Sequence, residues 1–282
     1  MSTPVVCCEG LVHIYKRPGI EVVALQGLDL TVGQQEAVAV VGSSGSGKTT
    51  LMSILAAVEC PTAGLALVAG HDLTQLTPAQ SDTYRQTIVG YLWQQASLNL
   101  TPELSALDNL QLPLLASGEK RRRRLERANE LLGWLGIEHC LDRLPTQLSG
   151  GEQQRLAIGV AIANSPQVLL ADEPTAELDG PMSRELMADL RAIQRQTGMT
   201  IVLVTHDPLV AALADRVVHI RDGRTSSETR AELGELAVLD RAGRLQLPKD
   251  VVRQAGLGQL VRVRVEDGRV VIEPIDGIDE QL

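Results

Sequence analysis

Gly42-Ser43-Ser44-Gly45-Ser46-Gly47-Lys48-Thr49 fits the G-x-x-x-x-G-K-[ST] pattern at every fixed position. Those residue types, in that order, suit one kind of chemistry. Glycines let the backbone curl so that successive N–H groups point at phosphate oxygens, and the positive end of the helix that follows adds to their pull. Lys48 is expected to reach the β- and γ-phosphates of a nucleoside triphosphate as a point charge, with the Thr49 hydroxyl on Mg²⁺. Far downstream, Val168-Leu169-Leu170-Ala171 ends in Asp172-Glu173. Asp172 can hold the magnesium ion through water, and Glu173 can orient or deprotonate a water attacking the γ-phosphate, although an acid pair at a strand end also occurs as a solvated turn.

Three further groups have the right chemistry at less specific spacing. Ser149 is a natural N-cap, and the Gly150-Gly151 pair after it costs stability unless backbone must be bared to an anion. His206 follows the apolar run 200–205; a neutral imidazole there could bond the γ-phosphate, though a lone histidine at a strand end is more often structural. Tyr15 ends a β-prone run, where its ring could stack on adenine or simply fill core or rim.

These groups need a frame. Ala37-Val38-Ala39-Val40-Val41 before the glycine-rich loop and Leu51-Met52-Ser53-Ile54-Leu55 after it predict strand, loop, helix. Short β-prone runs at 5–8, 11–15, 22–25 and 28–32, punctuated by Gly10, Gly27 and Gly33, predict an antiparallel opening. Further strands are expected at 65–70 and 88–93, the second leading into Gln94. Helical periodicity takes over between 103 and 145, and strand patterns return at 168–173, 200–205 and 216–224. This order predicts an α/β core with a parallel sheet and ligands at the carboxyl ends of the strands.

At 282 residues there is room for one large domain, or one large and one small. Phe is absent, so the core must be built from Leu, Val, Ile and Ala. A formal charge of −9 argues against a chain that coats nucleic acid. No stretch approaches the ~18 apolar residues of a membrane span, and the start lacks a signal peptide's basic and apolar regions, so the expected location is the cytosol. Cys7, Cys8, Cys60 and Cys140 show no zinc-site spacing and read as reduced, mostly buried thiols. The run Lys120-Arg121-Arg122-Arg123-Arg124, interleaved with acids, reads first as a solvated helix face and second as a contact for anionic headgroups or an acidic loop.

Taken together, the motifs of residues 5–225 resemble the ATP-binding subunit of an ABC transporter. The resemblance makes Gly42, Ser43, Ser44, Gly45, Ser46, Gly47, Lys48, Thr49 and Thr50 the Walker A site, Gln94 the Q-loop glutamine and a magnesium ligand with Thr49 and Asp172, and Tyr15 the adenine-stacking aromatic. It places the signature at Leu148-Ser149-Gly150-Gly151-Glu152, the catalytic glutamate at Glu173, the D-loop at Asp179 and the switch histidine at His206. It implies an α/β P-loop ATPase domain (1–225) with an antiparallel β subdomain and a helical insertion at about 96–165. Two copies would sandwich two ATP molecules head to tail, with Ser149 and Gly151 of one copy on the γ-phosphate held by Lys48 of the other. Closure would drive a separate membrane permease from the inner face of the membrane. The segments 170–175 and 203–208 are similar to the branch of macrolide exporters, lipoprotein-releasing complexes and a cell-division pair that signals without transport. Ala176-Glu177 and Gly159-Val160 depart from that branch's usual Gly-Asn and Ala-Arg. Two other functions remain open: a mechanical signalling ATPase on a membrane partner, and an ATP-linked DNA-binding regulator.

The tail reads separately. Residues 226–235 are polar and are expected to form a linker. Beyond them, short strands at 238–240 and 244–247, a helix opened by Pro248, and a hairpin turning at Asp267-Gly268 are predicted. That order resembles the AbrB-like swapped-hairpin domain, a small β-rich dimeric fold, over 236–274, followed by an acidic end to 282. A unit of about 40 residues rarely buries enough apolar surface alone, so pairing with a second copy is the first expectation. DNA binding through Arg241, Arg244, Lys249, Arg253, Arg262 and Arg264 is the second, diluted by Glu266, Asp267, Glu273, Asp276, Asp279 and Glu280. No strong expectation of nucleic acid follows.

Overall fold

The structure is a computed structural model that describes residues 3–230, 234–240, 243–258 and 260–274. Strands β1 (Val6–Arg17) and β2 (Ile20–Val32) open the chain, and β3 (Ala37–Val41) delivers the glycine-rich loop to α1 (Lys48–Leu55). Next come β4 (Ala63–Val68), β5 (His71–Asp72), α2 (Pro78–Thr87) and β6 (Val89–Leu92). The helical insertion contains α3 (Ala106–Ala116), α4 (Arg121–Trp134) and α5 (Gly150–Ile162). After it, β7 (Val168–Asp172), α6 (Gly180–Thr197), β8 (Thr200–Val204), α7 (Pro208–Ala211) and β9 (Arg216–Arg221) complete the alternation.

Strands β6, β7, β8, β3 and β9 lie side by side and parallel, in that order. The central ones are buried on both faces, as strands flanked by helices must be. Their alternation divides the core in two. Ala37, Ala39, Leu169, Ala171, Ile201 and Leu203 pack with Leu110, Leu131, Leu132 and Leu156 of the helical insertion. Val38, Val40, Val168, Leu170, Val202 and Val204 face the other way, toward Leu51 and Ile54 of α1 and Leu25, Leu28 and Leu30 of the antiparallel sheet. A polar residue at any of the Leu, Ile or Val positions would forfeit roughly 1.5–3 kcal/mol of burial and leave a dry polar group besides.

Two local expectations change. The opening is two long strands rather than four short runs: β1 and β2 continue through Gly10 (φ 56°) and Gly27 (φ 92°), with register shifts around Cys8, Leu11 and His13. Gly10 and Gly27 absorb the first two of these shifts instead of ending the strands, and Ala24 is the extra residue at the third. Tyr15 therefore sits inside β1, two residues before its end.

The expected linker also differs. Residues Arg224–Arg230 form β10, antiparallel to β9, and Gly234–Ala237 form β11 on its far side. Ser226 and Ser227 are buried. Polar composition misleads here because the ladder satisfies the backbone, while Ser226 Oγ donates to the His219 carbonyl at 3.0 Å and Ser227 Oγ to Glu235 at 2.8 Å. Buried Arg216 locks the region, pairing Glu36 at 2.8 Å and Glu228 at 2.7 Å and donating to the Thr31 carbonyl.

Of the strands expected at 238–240 and 244–247, only a single Leu239–Leu245 bridge forms. Helix α8 (Lys249–Gln254) and the hairpin β12 (Val261–Glu266) and β13 (Arg269–Pro274) follow. The turn takes positive φ at Asp267 (49°) and Gly268 (74°), the conformation an Asp-Gly pair favours. Arg241, Asp276, Asp279, Glu280 and the rest of the acidic end lie outside the described residues, as does the Lys249 side chain. Among the described residues, no helix is long and apolar enough to cross a membrane.

Candidate functional site

The loop 42–47 is held by close approach. A Cβ on Gly42 would stand 2.3 Å from the Ile220 carbonyl oxygen, and one on Gly47 would stand 2.7 Å from that of Ala24. Gly47 is also the α1 N-cap, at φ 104°. Both positions therefore demand glycine for reasons of space, and Gly47 for conformation as well. Lys48 Nζ donates to the Gly42 and Ser43 carbonyls at 2.8 and 3.0 Å, so its ammonium lies along the inside of the curl. Ser46 Oγ is buried there without a hydrogen-bond partner.

Register brings the other groups to the same sheet edge. Leu92 pairs with Ala171, Asp172 with Val204, and Val204 with Val40, so Gln94, Asp172, His206 and Gly42 all follow the carboxyl ends of adjacent parallel strands. Asp172 is half-buried; burial first, and then the charge of Glu173, raise its carboxyl above the ordinary value, while Lys48 opposes the shift. Thr49 and Asp172 supply the hydroxyl and carboxylate oxygens that a hard cation such as Mg²⁺ accepts, so the donor set fits. Gln94 is exposed and can swing.

Glu173 carries the most unusual backbone of the site, a left-handed φ of 50° on a residue with a side chain. Such strain persists only where surroundings impose it, and here the Glu173 N–H donates to the Val204 carbonyl at 2.9 Å. The side chain turns under His206: Oε2 accepts from His206 Nδ1 at 2.9 Å and from its main-chain N–H at 3.3 Å. The hydrogen bond to Glu173, then its charge, raise the His206 pKa. From sequence the two residues are separate groups and His206 a neutral donor. In the structure they are one pair whose imidazole holds its proton more tightly than a free one.

Tyr15 reaches this region from the antiparallel sheet. Its hydroxyl lies 3.4 Å from Thr50 Oγ1 on α1, and its ring meets His13 edge-on at 4.5 Å between centroids. The tyrosine is thus propped beside the start of the helix that carries Lys48.

The signature residues stand apart. Ser149 caps α5 in a reciprocal box: its hydroxyl accepts from Glu152 N–H, and Glu152 Oε2 accepts from Ser149 N–H at 2.8 Å. Ser149 and Gly150 are exposed, whereas Gly151 is buried beneath Met182, whose methyl would lie 2.4 Å from an added Cβ. The structure thus adds a packing reason for the second glycine. Asp179 caps α6, accepting from Met182 N–H at 2.9 Å. Among the described residues no hydrogen bond or ion pair joins Ser149, Gly150, Gly151 or Asp179 to the loop 42–49.

Sequence reasoning missed Gln154. Buried on α5, it donates from Nε2 to the Pro174 carbonyl at 2.7 Å, tying the signature helix to the turn after Glu173. The available signal was a glutamine in step with Gly151 and Ile158 on a buried face. The signature glutamate is also engaged beyond its cap: His139 Nε2 lies 2.8 Å and Cys140 Sγ 3.2 Å from Glu152 Oε1. Bonds from Ser149, and then from His139 and Cys140, hold the Glu152 carboxyl down to about 2, while burial, and then Glu152, push the Cys140 thiol up to about 11.

Known proteins are similar to this chain in sequence and fold. The ABC transporter family model matches residues 25–176. A macrolide export ATP-binding/permease protein, MacB, from Rhodopirellula baltica is 43% identical over 223 residues, covering 78% of this chain and 32% of that protein. The chain thus spans about a third of the length of such relatives. The lipoprotein-releasing system ATP-binding protein LolD 2 from Caulobacter vibrioides is 42% identical over 223 residues, 79% of this chain and 97% of its own. Among solved structures, the dimeric post-hydrolysis state of the ATP-binding cassette MJ0796 bound to ADP and Pi superposes with a TM-score of 0.73 at 34% identity, covering 80% of this chain and 98% of that one. With the phosphate loop, the paired acids and the capped signature helix set on this sheet, the chain belongs to the ABC transporter family, as one of its ATP-binding domains.

Proposed function

We propose that this chain hydrolyses ATP as the motor subunit of a transport or release system whose membrane permease is a separate protein. The observation that carries the reading is Glu173: strained, held against His206, and one residue beyond Asp172 at the edge where the phosphate loop begins. Tyr15 stacks on adenine, and the loop N–H groups and Lys48 hold the β- and γ-phosphates, Lys48 exchanging two loop carbonyls for phosphate oxygens. Thr49, Asp172 and Gln94 would hold Mg²⁺, which would supply positive charge beside the phosphates. Glu173 orients and accepts a proton from the attacking water, and His206 keeps Glu173 in place.

That no hydrogen bond or ion pair among the described residues joins the signature to the loop fits a site completed by a second copy, with Ser149 and Gly150, both exposed, presenting a helix start to the partner's γ-phosphate. The MJ0796 cassette was solved as a dimer bound to ADP and Pi, which supports a paired arrangement for this chain; LolD 2 is named as the ATP-binding protein of a releasing system and MacB as an ATP-binding/permease protein, which supports work on a membrane permease.

The tail fits a second contact between copies. On the hairpin, Val261, Val263, Val265, Val270, Ile272 and Pro274 share one face, while Arg262, Arg264, Glu266, Arg269 and Glu273, with Val271 among them, lie on the other. Val263, Val265 and Val270 are 60–73% exposed. A two-stranded hairpin is marginal alone in water, and an identical apolar face on a second copy covers it symmetrically. The DNA-binding alternative loses ground, because Arg244 pairs with Asp240, and Arg264 with Glu266 and Glu273.

Light scattering of the full chain carrying Glu173→Gln, with and without ATP, tests both contacts. Association that requires ATP in the Val263→Lys/Val265→Lys background, but not without those changes, is the expected result. A chain that stays monomeric with ATP in both backgrounds overturns the paired site.

A further inference from the structure

The helical insertion gathers three metal-ligating side chains to which the ATP reading gives no contact with nucleotide, although one of them, Glu152, closes the signature cap. His139 and Cys140 end a short 3-10 turn, Glu138–Cys140, and Glu152 lies in the first turn of α5. One ligand atom from each, the imidazole nitrogen, the sulfur and a carboxylate oxygen, lies within 4.8 Å of the other two. Nε2 and Sγ both converge on a single oxygen, Glu152 Oε1, at 2.8 and 3.2 Å. Adjacent His and Cys with a Glu twelve residues on match no familiar zinc spacing, so only the packing of α5 against the turn makes the cluster.

We propose that His139, Cys140 and Glu152 form a binding site for a borderline divalent cation, Zn²⁺ being the best fit. Nitrogen, sulfur and oxygen donors together suit Zn²⁺ and exclude Mg²⁺ and Ca²⁺, which take oxygen alone. Tetrahedral bonds of about 2.0–2.3 Å place neighbouring donors about 3.3–3.5 Å apart, so Nε2 has to withdraw from Oε1 by roughly half an ångström and Sγ by a smaller step, while Nε2 and Sγ settle at the same spacing from each other. His139 has the freedom to do so, since its side chain is 57% exposed, and it opens the cluster to solvent although Cys140 is buried. Glu152 gives the metal Oε1 and keeps Oε2 on Ser149, so the helix cap survives binding.

The balance of the step is simple. Zn²⁺ bonds to the imidazole nitrogen, whose proton moves to Nδ1; to the thiolate, whose proton leaves to solvent; and to the carboxylate. The ion and its two anionic ligands sum to zero charge, so Arg143, 4.0 Å from Glu152 Oε1, meets no net repulsion. Three protein ligands leave the fourth position to water. The metal would then tie the turn 138–140 to the residue that caps the signature helix.

Titration of the reduced full chain with Co²⁺, followed by displacement with Zn²⁺, tests this. Thiolate-to-cobalt charge transfer appears only if sulfur is a ligand, so a cation at Asp172 or Thr49 does not register. We expect one such site per chain, lost in Cys140→Ser and weakened in the exposed-site variant His139→Ala by more than the roughly 10–100-fold that outer-shell changes cost. Cys60→Ser, at the exposed thiol, should leave it intact. If Cys140→Ser fails to fold, His139→Ala alone decides. Absence of the charge-transfer band, its persistence in Cys140→Ser, or an unchanged affinity in His139→Ala overturns the proposal and leaves a hydrogen-bonded cluster only.

Discussion

Replacing Glu173 by Gln asks whether this residue acts on water or only supports the turn. The amide has the same shape, so the left-handed backbone and its bond to Val204 should be kept. One amide oxygen still accepts from the His206 main-chain N–H, whereas the negative charge and the proton-accepting capacity are gone. Removing a positioned base costs about 10²–10⁴-fold in rate, which at 1.36 kcal/mol per decade is roughly 2.7–5.4 kcal/mol of barrier. None of the expected binding groups, Tyr15, Lys48 or the loop N–H donors, hydrogen-bonds Glu173, so affinity for ATP should change by less than about threefold, far below one decade of rate. Phosphate release under saturating ATP, beside equilibrium binding of a fluorescent ATP analogue, separates the two quantities. Turnover within about threefold of the parent, well short of one decade, refutes the base assignment. Equal losses in binding and turnover would show instead that the strained turn had collapsed. The same variant should lower the His206 pKa toward its ordinary value, because the partner that raises it is neutralised, and an NMR titration of the imidazole reads this directly.

Tyr15→Ala should weaken ATP binding by the roughly 1–3 kcal/mol typical of an aromatic–base stack, with kcat at saturation little changed. Arg216→Met leaves Glu36 and Glu228 without their buried partner and should cost about 3–5 kcal/mol, read as a large fall in unfolding temperature; a neutral result would mean that both carboxylates reach water. Glu152 has a depressed folded pKa, about 2 against an ordinary 4.5, so its stabilising effect is present above 4.5 and fades as pH falls toward 2. The stability gap between the parent and Glu152→Gln should therefore narrow across that acid window, and a gap that stays constant with pH would refute the assignment.

Much of the chemistry was legible in the chain because it is local. The loop 42–49, its flanking strand and helix, the acids ending β7 and the cap at Ser149 each depend on a few consecutive residues whose backbone preferences and hydrogen bonds close within a turn or two. Glycines at 42 and 47 could be expected there, but the carbonyls of Ile220 and Ala24 that forbid a Cβ come from other strands. The opening strands and the polar run 226–235 depart from expectation for a related reason. Glycine can end a strand or bend it, and a polar run can be solvated or laddered, and only the neighbouring strand decides.

What tertiary structure alone decided are meetings between distant residues. The register of β7 on β8 sets Glu173 under His206, and the antiparallel sheet carries Tyr15 to Thr50. Packing of α5 buries Gly151 beneath Met182, sends Gln154 to Pro174 and folds Glu152 back onto His139 and Cys140. Sequence specifies which groups can react, since reactivity belongs to side-chain type. It leaves open which of them meet, because distances across a sheet or between helices are set by the packing of the whole core.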